Sequence, residues 1–193
     1  MASQFQHLLD SIRAAVDDEN WYAALALTLT LPDICARIET GERTRTVYFN
    51  WWTDNFGKTY QYGNGPSDHV NGQEVYLLRC AYLREGSHSL DPSERQKYNA
   101  TIAKFKFVTS NDHLKTQGAT VLLNARTFCE DMCSRVEEWE TNTLSNNPRM
   151  QKRAQELSVR SDPSWSLVGQ AFVFYCGVTC QWPLRERDGC VRE

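Results

Sequence analysis

Residues 74–88 read EVYLLRCAYLREGSH, an apolar run that carries Arg79 and Arg84 and breaks at Gly86. Val75, Leu78 and Tyr82 recur at three- and four-residue steps, which puts them on one stripe of a helix starting near Gly72 and stopping at Gly86. A guanidinium is charged at any physiological pH, so placing one in such a stripe is costly unless it meets an anion or reaches water. The residues leave two readings of Arg79 open. It forms an intrachain ion pair, with Glu74 or Glu85 as partner, or snorkels while its stem packs; or it is directed at a phosphate.

The helical period extends to both sides of this stretch. Phe5, Leu8, Leu9, Ile12 and Val16 form one stripe of a first helix that ends near Asp17 and Asp18. DENWYAALALTLTLP (18–32) alternates leucines as a strand would, but its alanines and acidic opening favour a helix, which Pro32 is expected to end. PDICARIETG then predicts a short third helix closing at Gly41. Val47, Tyr48, Trp51 and Trp52 predict a helix from about Thr44 to Phe56, followed by the polar, glycine-dense loop GKTYQYGNGPSDHVNG.

Between Tyr98 and Thr109 the period changes to two, with Ile102, Phe105 and Phe107 interleaved with lysines, and a strand is expected. ATVLLNA (119–125) is its expected hairpin partner. From Asn124 the helical period returns, with Phe128, Met132, Val136 and Trp139 on one face. Asn147-Pro148, a capping residue and a first-turn proline, predicts a last helix running towards Leu157. The fold class is therefore mainly α, a helical bundle with a small β-hairpin insertion. Residues 1–160 form the helical domain and 161–193 a C-terminal extension. Within that extension, the run from Leu167 to Trp182 is interrupted by Gln170, Thr179 and two glycines, so it reads as a buried strand or core helix rather than a membrane span.

At 193 residues the chain has the length of one ordinary domain, and its net charge of −3 provides no global field for a phosphate backbone. Any nucleic-acid site must be a local patch. Seven cysteines, an odd number, and a charged N-terminal stretch predict reduced thiols and a cytoplasmic protein. Cys129 and Cys133, like Cys176 and Cys180, stand four apart, an interval that would suit zinc thiolates, yet Phe128 and Met132 flank the first pair on the core face. Core packing is the better account, and no metal is expected. His69 and His113 each follow an aspartate in a polar loop and read as solvated turn residues. No GxSxG, Walker A, GxGxxG or HExxH pattern occurs.

LLRCAYLREGS resembles the core of the HEPN superfamily, all-helical proteins marked by an arginine, four to six residues and a histidine near a helix end. ENWYAALALTLTLPDIC (19–35), RCAYLREG (79–86) and FCEDMC (128–133) together resemble bacterial proteins with HEPN-like features, in which the middle segment tends to read RCAYLHEG. The resemblance spans roughly residues 1–157. It implies a homodimer without cofactor, in which arginine and histidine from two subunits cleave RNA without metal. The histidine assists the ribose 2′-hydroxyl and the arginine stabilises phosphate charge.

Arg79 takes the arginine position, and Arg84 stands where the histidine belongs. Arginine cannot serve as a general base, and His88, the nearest imidazole, lies outside the family interval. The expectation is thus a non-catalytic or impaired dimeric module, not membrane-bound, that holds RNA, a nucleotide or a partner through Arg79, Arg84 and Tyr82. The alternative is a metal-independent endoribonuclease with Arg79 and His88 as catalytic residues.

Overall fold

The computed structural model describes residues 5–57, 59–65 and 68–156, all within one compact unit, Met1–Ser158. Expectations for the Leu167–Trp182 run, for Cys176 and Cys180, and for the 161–193 extension lie outside the described residues. α1 (Gln6–Asp17) buries Leu9, Ile12 and Val16, the predicted stripe. α2 (Trp21–Thr40) opens on Asn20, whose side chain accepts from Ala23 N, and closes at Gly41 in the left-handed region, φ 82°.

Two separate helices were expected where α2 runs unbroken through Pro32. A proline inside a helix loses one backbone donor and crowds the preceding turn, at roughly 3 kcal/mol in an isolated helix. Here tertiary burial outweighs that penalty. α2 touches α1, α3, α4, α6 and α7, and nine of its twenty residues are buried, Pro32 among them. The leucine alternation that imitates a strand is that of a central helix covered on several sides.

α3 (Arg45–Phe56) begins at Thr44 as predicted, with its hydroxyl accepting from Val47 N at 3.4 Å. α4 (Gly72–Glu85) has a full capping box: Asn71 Oδ1 accepts from Glu74 N at 3.0 Å, and Glu74 Oε2 accepts from Asn71 N at 3.2 Å. Its first residue has to be small, because a Cβ on Gly72 would overlap the Phe49 backbone of α3. α5 (Pro92–Tyr98) was not anticipated, although Asp91 caps it through Ser93 N and Glu94 N and Pro92 occupies its first turn.

β1 (Lys104–Val108), β2 (Lys115–Gln117) and β3 (Thr120–Asn124) form one sheet in the order β1-β3-β2. The expected hairpin between the 98–109 and 119–125 segments is corrected by the register. β1 runs parallel to β3, with Phe105 opposite Val121 and Phe107 opposite Leu123. It is β2 that pairs antiparallel with β3, Thr116 opposite Val121, across a turn in which Gly118 has φ 60°. Parallel neighbours need an intervening crossover, and here the crossover holds a short polar strand without apolar alternation.

α6 (Ala125–Trp139) leaves β3 directly, with Asn124 Oδ1 accepting from Thr127 N at 2.8 Å. A π-helical turn, Glu140–Leu144, leads to α7 (Pro148–Ala154), capped by Asn147. Ring contacts then run from Trp139 through Trp51, Phe56, Tyr60, Phe128, Phe107 and Tyr82 to Tyr22. This aromatic file links the core to the surface at the start of α2, since Tyr22 is 63% exposed. Among the described residues no helix is long and apolar enough to cross a membrane.

Candidate functional site

α4 turns Val75, Leu78 and Tyr82 inward, and Arg79 goes with them. Its Nη2 donates to Asp33 Oδ2 at 2.9 Å, with the arginine side chain 10% exposed and the aspartate 52%. Asp33 follows Pro32 on the continuous α2. Neither glutamate considered from the sequence is the partner in this pair. Glu74 is fully buried and works elsewhere: beyond the capping box, its Oε1 accepts from Thr101 N at 3.1 Å, Thr101 Oγ1 at 3.2 Å and Ile102 N at 3.1 Å. That carboxylate ties the start of α4 to the approach to β1.

The Arg79–Asp33 pair also acts on Tyr48, whose hydroxyl is buried without a hydrogen-bond partner among the described residues. Burial pushes its ionisation well above the ordinary phenol range, Arg79 opposes that shift and Asp33 reinforces it. Tyr48 is therefore a neutral hydroxyl beside an ion pair.

Arg84 is exposed in the last turn of α4, where a cation complements the carboxyl end of the helix dipole. Tyr82 is buried, its ring 5.3 Å from Tyr22 and 5.9 Å from Phe107, and its hydroxyl is pushed up to about 12, mainly by burial. Gly86, φ 61°, ends the helix, and the chain then runs along the outer edge of β1. Phe105 N donates to His88 O at 2.9 Å, and Leu90 N to Ala103 O at 2.9 Å. This places His88 beside Lys104 and Lys106. Partial burial and then the two ammoniums lower its pKa, which keeps the imidazole neutral near pH 7.

The sequence-predicted residues thus divide between two places. Arg79 faces α2 through Asp33, whereas Arg84 and His88 belong to the exposed end of α4 and the edge of β1. Tyr82 is buried and belongs to the aromatic file. Lys104, Lys106 and Tyr22 were not singled out from the sequence. The lysines alternate with Phe105 and Phe107, and in a strand that alternation puts cations on the face opposite the buried rings.

His113 is also corrected, from a solvated turn residue to a half-buried one. Its Nδ1 accepts from Asn124 N at 3.2 Å, its Nε2 lies 3.9 Å from Asp131 Oδ2, and Tyr60 donates to the same oxygen at 2.8 Å. Burial lowers its pKa and Asp131 opposes that. With Nδ1 accepting, the neutral ring carries its proton on Nε2, which leaves no lone pair for a metal ion or for general-base work.

Cys129 and Cys133 are buried in the core, and burial raises their thiols to about 11 and about 12. Protonated thiols are poor metal ligands. Among the described residues no group of three or more His, Cys, Asp or Glu side chains is placed to hold a metal ion. The chain matches no family model, no curated protein and no solved structure.

Proposed function

We propose that the chain is a HEPN-like, non-catalytic module that forms a homodimer and holds single-stranded RNA on a basic strip made by Arg84, His88, Lys104 and Lys106. The observation that carries this reading is the engagement of Arg79 by Asp33 in a chain that has Arg84 where the family has its histidine. Arg79 is nearly buried and engaged with Asp33 on α2, while His88 lies along β1 between two lysines. General acid-base cleavage needs an imidazole and a guanidinium converging on one phosphodiester. With Arg84 in the family's histidine position, the strip supplies charge and hydrogen-bond donors but no proton-transfer pair.

Binding follows from the same residues. Lysine ammoniums and an arginine fork are phosphate ligands, and a neutral imidazole adds one further donor. Tyr22, 63% exposed and backed by Tyr82, offers a face for a base, an interaction of roughly 1–3 kcal/mol in single-strand binders. Leu83, the other large apolar side chain exposed among the described residues, is on α4 and is assigned to the dimer contact.

The test incubates the purified protein with single-stranded and structured RNA in EDTA, reads cleavage on gels and binding by fluorescence anisotropy, and obtains mass by sedimentation. Binding without cleavage is expected. Neutralising three phosphates on a single strand gives a slope of log affinity against log salt of about −2, falling by about 0.7 for each of Lys104→Gln, Lys106→Gln and Arg84→Gln. Cleavage that disappears in a folded Arg79→Ala variant would sink the non-catalytic reading. Gain of cleavage in Arg84→His would identify the strip as a nuclease site lacking only its base.

A further inference from the structure

Two Asn-Gly pairs, Asn64-Gly65 and Asn71-Gly72, lie in the segment that leads into α4. In this dipeptide the backbone nitrogen of the glycine can attack the asparagine side-chain carbonyl, because no Cβ obstructs the approach. The reacting atoms belong to neighbouring residues, so ring closure needs no encounter step. The structure places the two pairs in contrasting surroundings.

Asn71 is held in place. Its Oδ1 accepts from Glu74 N at 3.0 Å in the capping box, and Gly72 is buried against the Phe49 backbone. Asn64, in contrast, is exposed, and its side chain has no hydrogen-bond partner among the described residues. Gly65 N donates to Asp68 Oδ2 at 2.8 Å, and a Cβ on Gly63 or Gly65 would overlap that carboxylate. Asp68 N donates back to Gly65 O at 3.1 Å, and Tyr62 N to Asp68 O at 2.9 Å. The proton that the attacking nitrogen must lose is therefore already held by a carboxylate.

We propose that Asn64-Gly65 is a self-modification site, at which the asparagine converts to aspartyl and isoaspartyl linkages with Asp68 as the internal base. Gly65 N forms a bond to Asn64 Cγ as its proton passes to Asp68 Oδ2. The bond from Cγ to Nδ2 then breaks, and the side-chain nitrogen takes that proton and departs as ammonia. Water opens the resulting five-membered imide at either carbonyl. The balance is one water consumed and one ammonia released. The product sets a second carboxylate in the turn that Asp68 closes, and its isoaspartyl form adds a methylene to the backbone there. The site is separate from the basic strip and does not rest on RNA binding.

The test keeps the full chain at pH 7.5 for several weeks and reads the mass gained at each asparagine from fragment spectra of its proteolytic peptides. Asn64 should convert at least about fivefold faster than Asn71, whose helix cap has to open first. In urea, where both the cap and the turn are lost, the two rates should converge. Asp68→Ala should slow conversion at Asn64 by about tenfold, and Asp68→Glu, which keeps a carboxylate, should restore part of the rate. No mass gain at Asn64, or an equal gain at Asn71 in the folded chain, would overturn the proposal. An Asp68→Ala rate equal to that of the unmodified chain, or an Asp68→Glu rate as slow as that of Asp68→Ala, would overturn the assignment of Asp68 as base.

Discussion

Arg79 and Asp33 form an unequal pair. The guanidinium is 10% exposed and the carboxylate 52%, so the two partners lose different amounts when the other is removed. Asp33→Ala takes an acceptor from a buried cation that has little access to water. Arg79→Met leaves an aspartate that can hydrate and fills the vacated stem volume with hydrocarbon. Removing one member of a buried pair leaves an uncompensated charge, whereas apolar replacement of the buried member is often close to neutral. Asp33→Ala should therefore cost about 2 kcal/mol and Arg79→Met about 1 kcal/mol or less, measured as urea midpoints at pH 7. The reverse ranking would show that Asp33 is not the anion that stabilises Arg79. The partner was illegible in the sequence for a physical reason. Asp33 and Arg79 are 46 residues apart, and reading Pro32 as a helix stop hid the fact that residue 33 continues a helix that packs on α4. What local pattern did convey was that a charge in that stripe needs a partner.

At the level of elements, what was legible is what local chemistry controls. Asn147 caps the helix expected from it, and Thr44, Asn71 and Asn124 cap helices expected to begin at or beside them, because a cap needs only its own side chain and the next three backbone amides. The continuity of α2 and the direction of β1 depend on distant packing and could not be read in this way. α5 is an intermediate case, since its Asp91-Pro92 opening was visible but no residue of it is buried, so there was no apolar period to mark it. Gly72 tests how tightly the elements fit. Alanine is the better helix former by roughly 0.5–1 kcal/mol, so propensity alone predicts that Gly72→Ala stabilises. The methyl would, however, overlap the Phe49 backbone of α3, and backbone cannot rotate aside. Overpacking of this kind costs about 1–3 kcal/mol, so the variant should be destabilised by about 1 kcal/mol or more in thermal melts. A neutral or stabilising effect would mean that α3 and α4 are not held at this distance.

At the scale of the whole molecule, the lowered histidine pKa values predict opposite responses of folding stability and RNA binding to acid. His88 and His113 both titrate below the ordinary imidazole value of 6.5, so the folded state favours their neutral forms. An unfolded chain takes up those protons first, near pH 6.5. Stability is then complete above that value and declines as pH falls from 6.5 towards the folded pKa values. The urea midpoint should accordingly drop between pH 7.5 and 5.5. The drop should shrink in His113→Gln, because the amide oxygen can still accept from Asn124 N but does not titrate. An undiminished drop in the double variant with His88→Gln would assign the acid sensitivity to other groups. RNA binding should respond in the opposite direction. A phosphate on the basic strip offsets the Lys104 and Lys106 charges that depress His88, so the bound state raises the imidazole pKa and takes up a proton. Affinity should rise as pH falls through the same window in which the fold weakens, and His88→Gln should remove the rise while leaving the salt slope from the lysines and Arg84 intact. A pH-independent affinity in the unmodified chain would place the RNA away from His88, and with it away from the end of α4.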